Sequence, residues 1–245
     1  VRAVYLDLDG SLFGPGGSLL RGAAEAFTLD GARALGLLHD TGIPVVLVSG
    51  RSRGGLEAVA QALGGDGVLP GRGASAAGYP TADGQTVHEA IAATGIVEEL
   101  LAREPALAHH PMAAWGREGS HVFLGRAGPE AHALVAERSG GALRLADNGE
   151  TGGVGAHIWH LLPAAASKAA AVERDLAARG ADPAASLAVG DSAQDLDIGR
   201  VVGAVAIVAN GAAADPAVAA SARWVTRGSY GAGVLEAVEE WLRAA

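Results

Sequence analysis

The apolar positions of this chain follow one repeating pattern near both ends and lose it in the middle. Residues 4–6 form a short run that is hydrophobic on both faces and stops at Asp7-Leu8-Asp9-Gly10. Such a run predicts a buried strand of a parallel sheet. The Gly- and Pro-rich segment Ser11–Gly17 is expected to be a mobile loop. Thr28 is placed to cap a helix from Leu29 to about His39, with Leu35 and Leu38 facing inward and Gly42 as its stop. Ile43–Val48 is a second buried strand, ending in Ser49-Gly50-Arg51. A helix from about Gly54 to Leu63 and a strand near Gly67–Leu69 follow. This βαβαβ alternation implies parallel strands joined by right-handed crossovers.

Between about Gly78 and Leu162 the rhythm changes. Helical stretches at His88–Arg103 and Pro129–Ser139 mix with short strand candidates at His121–Arg126, Ala142–Ala146 and Gly155–Leu162. The polar triplet Asp147-Asn148-Gly149 reads as a tight turn between antiparallel strands. The α/β pattern then returns. Ser167 caps a helix that runs through Arg179 to Gly180, and Ser186–Val189 is a strand ending in Gly190-Asp191. A helix at about Asp195–Val202, a strand at Ala204–Val208, a turn at Ala209-Asn210-Gly211, a strand near Trp224–Thr226 and a C-terminal amphipathic helix complete the pattern. The expected fold is α/β: a Rossmann-like parallel-sheet core domain (residues 1–80 and 163–245) with an inserted smaller α+β domain (residues 81–162).

Composition narrows the chemistry. Apolar residues make up 49% of the 245 positions, enough for a sizeable core. Cysteine is absent, which excludes disulfides, thiolate metal sites and cysteine nucleophiles. A net charge of −9 argues against nucleic acid or an anionic membrane as partner. No apolar stretch approaches the ~20 residues that span a bilayer, so a cytoplasmic protein, monomer or homodimer, is the expectation. The basic residues are seventeen arginines and a single lysine, Lys168. In a chain that otherwise uses arginine, the one lysine marks a position that calls for a compact point charge rather than a planar fork. It also opens a helix, where the dipole disfavours a cation, so helix energetics do not account for it.

Polar residues gather at the carboxyl ends of the predicted parallel strands, where open α/β sheets bind ligands. They are Asp7 and Asp9, Ser49, and Asp191 with Asp195, joined by Lys168 at a helix start. Four carboxylates brought together repel, two unit charges at ~4 Å by roughly 4 kcal/mol at an effective dielectric near 20. A hard divalent cation resolves this, and an all-oxygen ligand set beside a phosphate favours Mg²⁺. Asp7 fits a nucleophile attacking phosphorus, and Asp9 fits the acid that protonates a departing alcohol and later deprotonates water. Ser49 and the amides after it, Gly50 included, with Lys168, would bind phosphate oxygens.

The order Asp-x-Asp-Gly, Ser-Gly-Arg, a lone Lys, then Gly-Asp-Ser-x-x-Asp resembles the haloacid dehalogenase-like phosphohydrolase superfamily. Val208-Ala209-Asn210-Gly211 and Trp224-Val225-Thr226 resemble its sugar-phosphatase-like (Cof-type) branch. The resemblance implies a Mg²⁺-dependent phosphomonoester hydrolase acting through an aspartyl-phosphate on a small phosphorylated metabolite, a sugar phosphate in particular. Asp7 and Asp191 would be side-chain metal ligands and Asp9 a ligand through its carbonyl. Asp195 would complete the metal site by orienting Lys168 or a metal-bound water. The insert lies between the second and third motifs, the position of α+β caps that select substrate. A phosphomannomutase-like sugar phosphomutase, using the same aspartate, is the alternative. Arg51, Asn210, Arg126 and His160 are the candidates for substrate contact; His121, Arg144, Asn148 and His157 also lie in the insert and could face substrate, although most of the insert's polar residues read as solvated surface. The pair His109-His110 falls on an expected loop, and Gly152-Gly153-Val154-Gly155 lacks the strand-to-helix context of a dinucleotide loop. Two positions depart from the branch pattern: Gln194 replaces an Asn, and Arg72-Gly73-Ala74 replaces Asn-Gly-Ala.

Overall fold

A computed structural model describes residues 1–70, 78–111, 116–151 and 155–244; the triplet Arg72-Gly73-Ala74 lies outside them. The chain divides into two compact units, Val1–Gly50 with Gly55–Arg72 and Ser167–Ala245, and Arg51–Gly54 with Gly73–Ala166.

The first unit is built on a five-stranded parallel sheet of β1 (Val4–Asp7), β2 (Val45–Ser49), β3 (Gly67–Pro70), β8 (Leu187–Gly190) and β9 (Ala204–Ile207), in the order β3-β2-β1-β8-β9. The central strand β1 pairs on both sides, Asp7 lying opposite Val48 and Leu6 opposite Val189. Period-two alternation sorts the side chains. Val4, Leu6, Val45 and Leu47 pack with residues of α1 (Asp30–Asp40), α2 (Arg53–Leu63) and α10 (Gly231–Ala244). Tyr5, Val46 and Val48 pack on the other face against Val172 and Leu176 of α6 (Lys168–Arg179). Burial on both faces explains why these strands read as unbroken apolar runs. The Tyr5 hydroxyl also donates to Asp175 Oδ2 at 3.0 Å, fastening α6 to the strand.

Several expected elements are corrected here. Helix α1 starts at Asp30 with Leu29 in the cap position, while the Thr28 hydroxyl accepts the Asp30 N–H at 3.1 Å from one residue earlier. Residues 11–13 are anchored rather than loose, since Ser11, Leu12 and Phe13 are buried and the latter two join the core. The forecast helix Asp195–Val202 starts earlier, as α7 (Ala193–Leu196), because Ser192 caps it, and continues as a 3₁₀ turn at Asp197–Arg200. Ala209-Asn210-Gly211 is the first turn of helix α8 (Ala209–Ala214) rather than a free turn, and α9 (Pro216–Ser221) follows. The strand near Trp224 reduces to one bridge between Ile207 and Val225.

The second unit holds an antiparallel sheet of β4 (Leu107–His109), β5 (His121–Gly125), β6 (Leu143–Thr151) and β7 (Ala156–Pro163), in the order β4-β5-β7-β6. Helices α3 (Val87–Ala92), α4 (Ile96–Arg103) and α5 (Pro129–Arg138) cover one face through Ile91, Leu100 and Val135, which pack with Phe123, Leu145 and Leu161. The expected helix His88–Arg103 is two helices. Gly95 at φ 73° breaks it, and the Thr94 hydroxyl donates to Ile91 O at 2.6 Å and accepts the Ile96 N–H at 3.2 Å. Asp147-Asn148-Gly149 is not the hairpin turn. It lies inside β6 as an irregularity, where the pairing with β7 shifts between Asp147 and Glu150. His109 lies in β4, not in a loop. Among the described residues no helix is long and apolar enough to cross a membrane.

Candidate active site

Alternation along β1 sets the site. Tyr5 faces α6, so Asp7, two residues on, faces it too, at the carboxyl edge of the sheet. Lys168, the first residue of α6, meets it there. Its Nζ donates to Asp7 Oδ1 and to Asp195 Oδ1, each at 2.7 Å. Lys168 is 6% exposed and Asp195 1%. The first position of α6 is therefore an enclosed one. The second Asp7 oxygen accepts the Ser11 hydroxyl at 3.2 Å.

Asp195 is fixed from both ends. Its Oδ1 takes Lys168, while Oδ2 accepts the Ser192 hydroxyl at 2.6 Å, the Ser192 N–H at 3.1 Å and the Asp191 N–H at 3.3 Å. The carboxylate thus closes the cap of α7 and presents its remaining oxygen to the lysine. Asp191 projects from the same turn, and Asp7, Asp191 and Asp195 each offer an oxygen within 4.8 Å of the others. Gly10 makes this approach possible. It adopts φ 89°, and a Cβ there would fall 2.1 Å from Asp191 Oδ2.

Among the described residues, the three carboxylates of this cluster are paired with one ammonium, so the cluster carries an excess of negative charge. The proton affinities reflect it. Burial raises the Asp7 carboxyl; Lys168 pulls it back, Asp195 and Asp9 push it up again, and it settles at about 6. Burial and the charges of Asp7 and Asp195 raise Asp191 to about 7. Burial alone would lower Lys168, but Asp195 and Asp7 outweigh it and hold the ammonium charged above its usual range. The lysine pair is satisfied and the acids are in excess, so the donor set fits a hard divalent cation.

The remaining sequence candidates fall as follows. Asp9 is exposed, two residues beyond Asp7. Ser49 is buried at the end of β2, next to Val48, which pairs with Asp7, and Gly50 follows it. Asn210 lies in the first turn of α8. Its Nδ2 donates to Gly10 O at 2.7 Å and its Oδ1 accepts the Tyr230 N–H at 2.8 Å. Gln194 is half-buried in α7.

Arg51, Arg126 and His160 belong to the second unit. There Arg126 is exposed with its Nε on Gly155 O at 3.1 Å, and His160 is buried in β7 between Val122 and Ala146. His121 is not solvated surface. It is buried, stacks on His88 at 3.7 Å, and burial pushes it down to about 4. Among the described residues His109 and His110 join no group of three potential metal ligands. Ser11 and Ser192, whose hydroxyls orient Asp7 and Asp195, were not among the expected site residues. The one available signal was a serine beside each acidic motif.

No family model matches the chain. It is 25% identical over 245 residues to the phosphoglycolate phosphatase of Methanococcoides burtonii, covering 98% of this chain and 96% of that protein. A haloacid dehalogenase-like hydrolase from Bacteroides thetaiotaomicron superposes with a TM-score of 0.70 at 18% identity, over 98% of both chains. The sucrose-phosphatase of Synechocystis, solved with sucrose and phosphate, gives 0.66 at 15% identity over 98% of this chain and 97% of that one. The resemblance carried by the four motifs is borne out: this chain has the haloacid dehalogenase-like hydrolase fold, a parallel α/β core with a separate antiparallel α+β unit.

The cluster makes opposite-signed predictions for two substitutions in metal-free protein. A carboxyl whose folded-state pKa is raised binds its proton more tightly folded than unfolded, so stability falls as pH rises from about 4 through about 7. Asp191→Asn should therefore raise the melting temperature at pH 7.5 in chelator, with the gain vanishing near pH 4. Lys168→Met should cost about 3–5 kcal/mol at pH 7.5, because it strands two buried carboxylates, and less at low pH. Thermal and denaturant melts at both pH values check this; an Asp191→Asn protein no more stable than its parent at pH 7.5 would refute the charge excess.

Proposed function

We propose that this chain is a Mg²⁺-dependent phosphomonoester hydrolase that passes through an aspartyl-phosphate on Asp7, with a small phosphorylated metabolite of the sugar-phosphate kind as substrate. The observation that carries the reading is the Lys168 ammonium shared by Asp7 and Asp195 beside a third carboxylate, Asp191. The phosphatase class of the Methanococcoides burtonii relative and of the Synechocystis neighbour supports it, as does the latter's complex with sucrose and phosphate.

Asp7 and Asp191 would hold the cation through side-chain oxygens and Asp9 through its carbonyl, while Asp195 keeps Lys168 in place. Bound there, Mg²⁺ would neutralise phosphoryl charge and make phosphorus accessible to an anionic nucleophile. Asp7 attacks phosphorus and forms the phosphoryl–oxygen bond as the ester oxygen leaves. Asp9 delivers a proton to that oxygen, then takes one from the water that hydrolyses the acyl phosphate, which returns Asp7 and inorganic phosphate. Lys168, together with Ser49 and the Gly50 amide, would stabilise the phosphoryl oxygens. Residues 81–162 would act as the substrate-selecting cap, to which Arg126 and His160 belong.

Phosphate release from phosphoglycolate and a panel of sugar phosphates, with Mg²⁺ and without any bisphosphate, tests the reading; an absolute bisphosphate requirement would instead mark a phosphomutase. Asp7→Asn should lower turnover by at least about a hundredfold without lowering the melting temperature. Appreciable residual turnover in that variant would exclude Asp7 as nucleophile. Asp9→Asn should slow alkyl phosphates by roughly 10²–10⁴ and aryl phosphates much less, since a good leaving group needs little protonation; equal losses would count against the assignment. Lys168→Arg keeps the charge but misplaces it, and ~1 Å of misplacement can cost about 10²-fold in kcat/KM. The enclosed position means that stability should fall as well. Near-parental kinetics would show that a compact ammonium is not required.

A further inference from the structure

Asn210 was expected among the substrate contacts, yet both ends of its side chain are engaged with main chain. Its Nδ2 donates to Gly10 O, 200 positions away, and its Oδ1 accepts the Tyr230 N–H. A carbonyl can only accept and an N–H can only donate, so the two partners fix the orientation of the amide.

Each partner is a place where the backbone needs holding. Gly10 follows Asp9 directly and lies flush against Asp191 in the left-handed region at φ 89°. Tyr230 is also left-handed, at φ 52°, a conformation that sterics disfavour for a residue with a Cβ. It immediately precedes α10, which packs on α1 through a close approach of Gly231 to Gly31. The residue after Asn210 closes the set, because a Cβ on Gly211 would fall 2.2 Å from Asp191 O. The segment around Asn210 therefore touches the Asp9-Gly10 turn through a hydrogen bond and the Asp191 turn through close packing.

We infer that Asn210 is a positioning residue: it locks the Gly10 peptide, and with it the Asp9 carboxylate one residue earlier, in register with Asp191 and the start of α10. The inference rests on the hydrolase reading, with Asp9 as the acid–base group. An anchored Gly10 peptide lets Asp9 stay exposed to substrate while its main chain is held. Without the bond the turn would keep its own backbone contacts, such as the Gly10 N–H on Phe13 O at 3.1 Å, but lose the side-chain tie that joins it to α8.

The test is steady-state kinetics of Asn210→Ala on a sugar phosphate and on 4-nitrophenyl phosphate, in the parent and in an Asp9→Asn background. Displacing the acid should lower kcat on the sugar phosphate by up to about 10²-fold, leave KM within about twofold, and spare the aryl ester. In the Asp9→Asn background the same change should cost less than about twofold, because residues acting through one group are not additive. Asn210→Asp retains the acceptor for Tyr230 but opposes Gly10 O with a carboxylate oxygen; it should reproduce the kinetic loss and supplies the measurement if the alanine variant does not fold. A raised KM with kcat intact would make Asn210 a substrate contact and overturn the inference. So would equal losses on both esters that persist in the Asp9→Asn background. Those outcomes leave the hydrolase reading standing, whereas a parent that releases phosphate from neither ester overturns both.

Discussion

The structure depends on an imbalance of buried charge at one edge of a parallel sheet. A lysine enclosed at the start of α6 needs partners, and Asp7 and Asp195 each give it an oxygen at 2.7 Å. A buried ammonium without them would be costly, and so would either carboxylate without the ammonium. The arrangement still leaves Asp191 facing two other acids. The ion pairs fix geometry and the excess charge leaves room for a cation.

That geometry is reached by holding α6 to β1 at two heights. Tyr5 and Asp7 leave the strand on the same face, two residues apart. Asp175 and Lys168 leave the helix seven residues apart, on one side of it. Tyr5 binds Asp175 toward one end of the contact and Asp7 binds Lys168 at the other. Asp175 is itself held by Arg179 Nε at 2.6 Å. A helix pinned twice against one strand can neither slide nor rotate freely, which is what a pair of 2.7 Å contacts at its first residue requires.

Much of this was legible in the chain. The strands β1, β2 and β8 announced themselves because burial on both faces leaves no polar position until the strand ends, and Asp7, Ser49 and Asp191 stand at those ends. Lys168 was legible from composition alone, as the only lysine in a chain of arginines. What misled were polar residues whose local chemistry has two outcomes. Asp147-Asn148-Gly149 suits a turn, but it suits an irregularity within a strand equally well, and the pairing of β6 with β7 decided. Asn210-Gly211 looked like a turn, yet packing against the Asp191 main chain made it the start of a helix. The break at Gly95 depended on Thr94 bonding both helices, a contact with no period to reveal it. Ser11 and Ser192 were invisible for a related reason, since a hydroxyl beside an acid gains its meaning only from where it points.

The solitary lysine has a consequence for the chain as a chemical object. Its side chains carry one ε-amino group in all, and that group is shut behind two carboxylates. Arginine carries the rest of the positive charge and is inert to ordinary acylating reagents. Amine-directed labelling of a folded side chain therefore has a single address, and the reagent can reach it only when the cluster at the sheet edge opens. The rate at which that one amine is acylated becomes a clock for the opening of the site, free of the background that surface lysines give in most proteins.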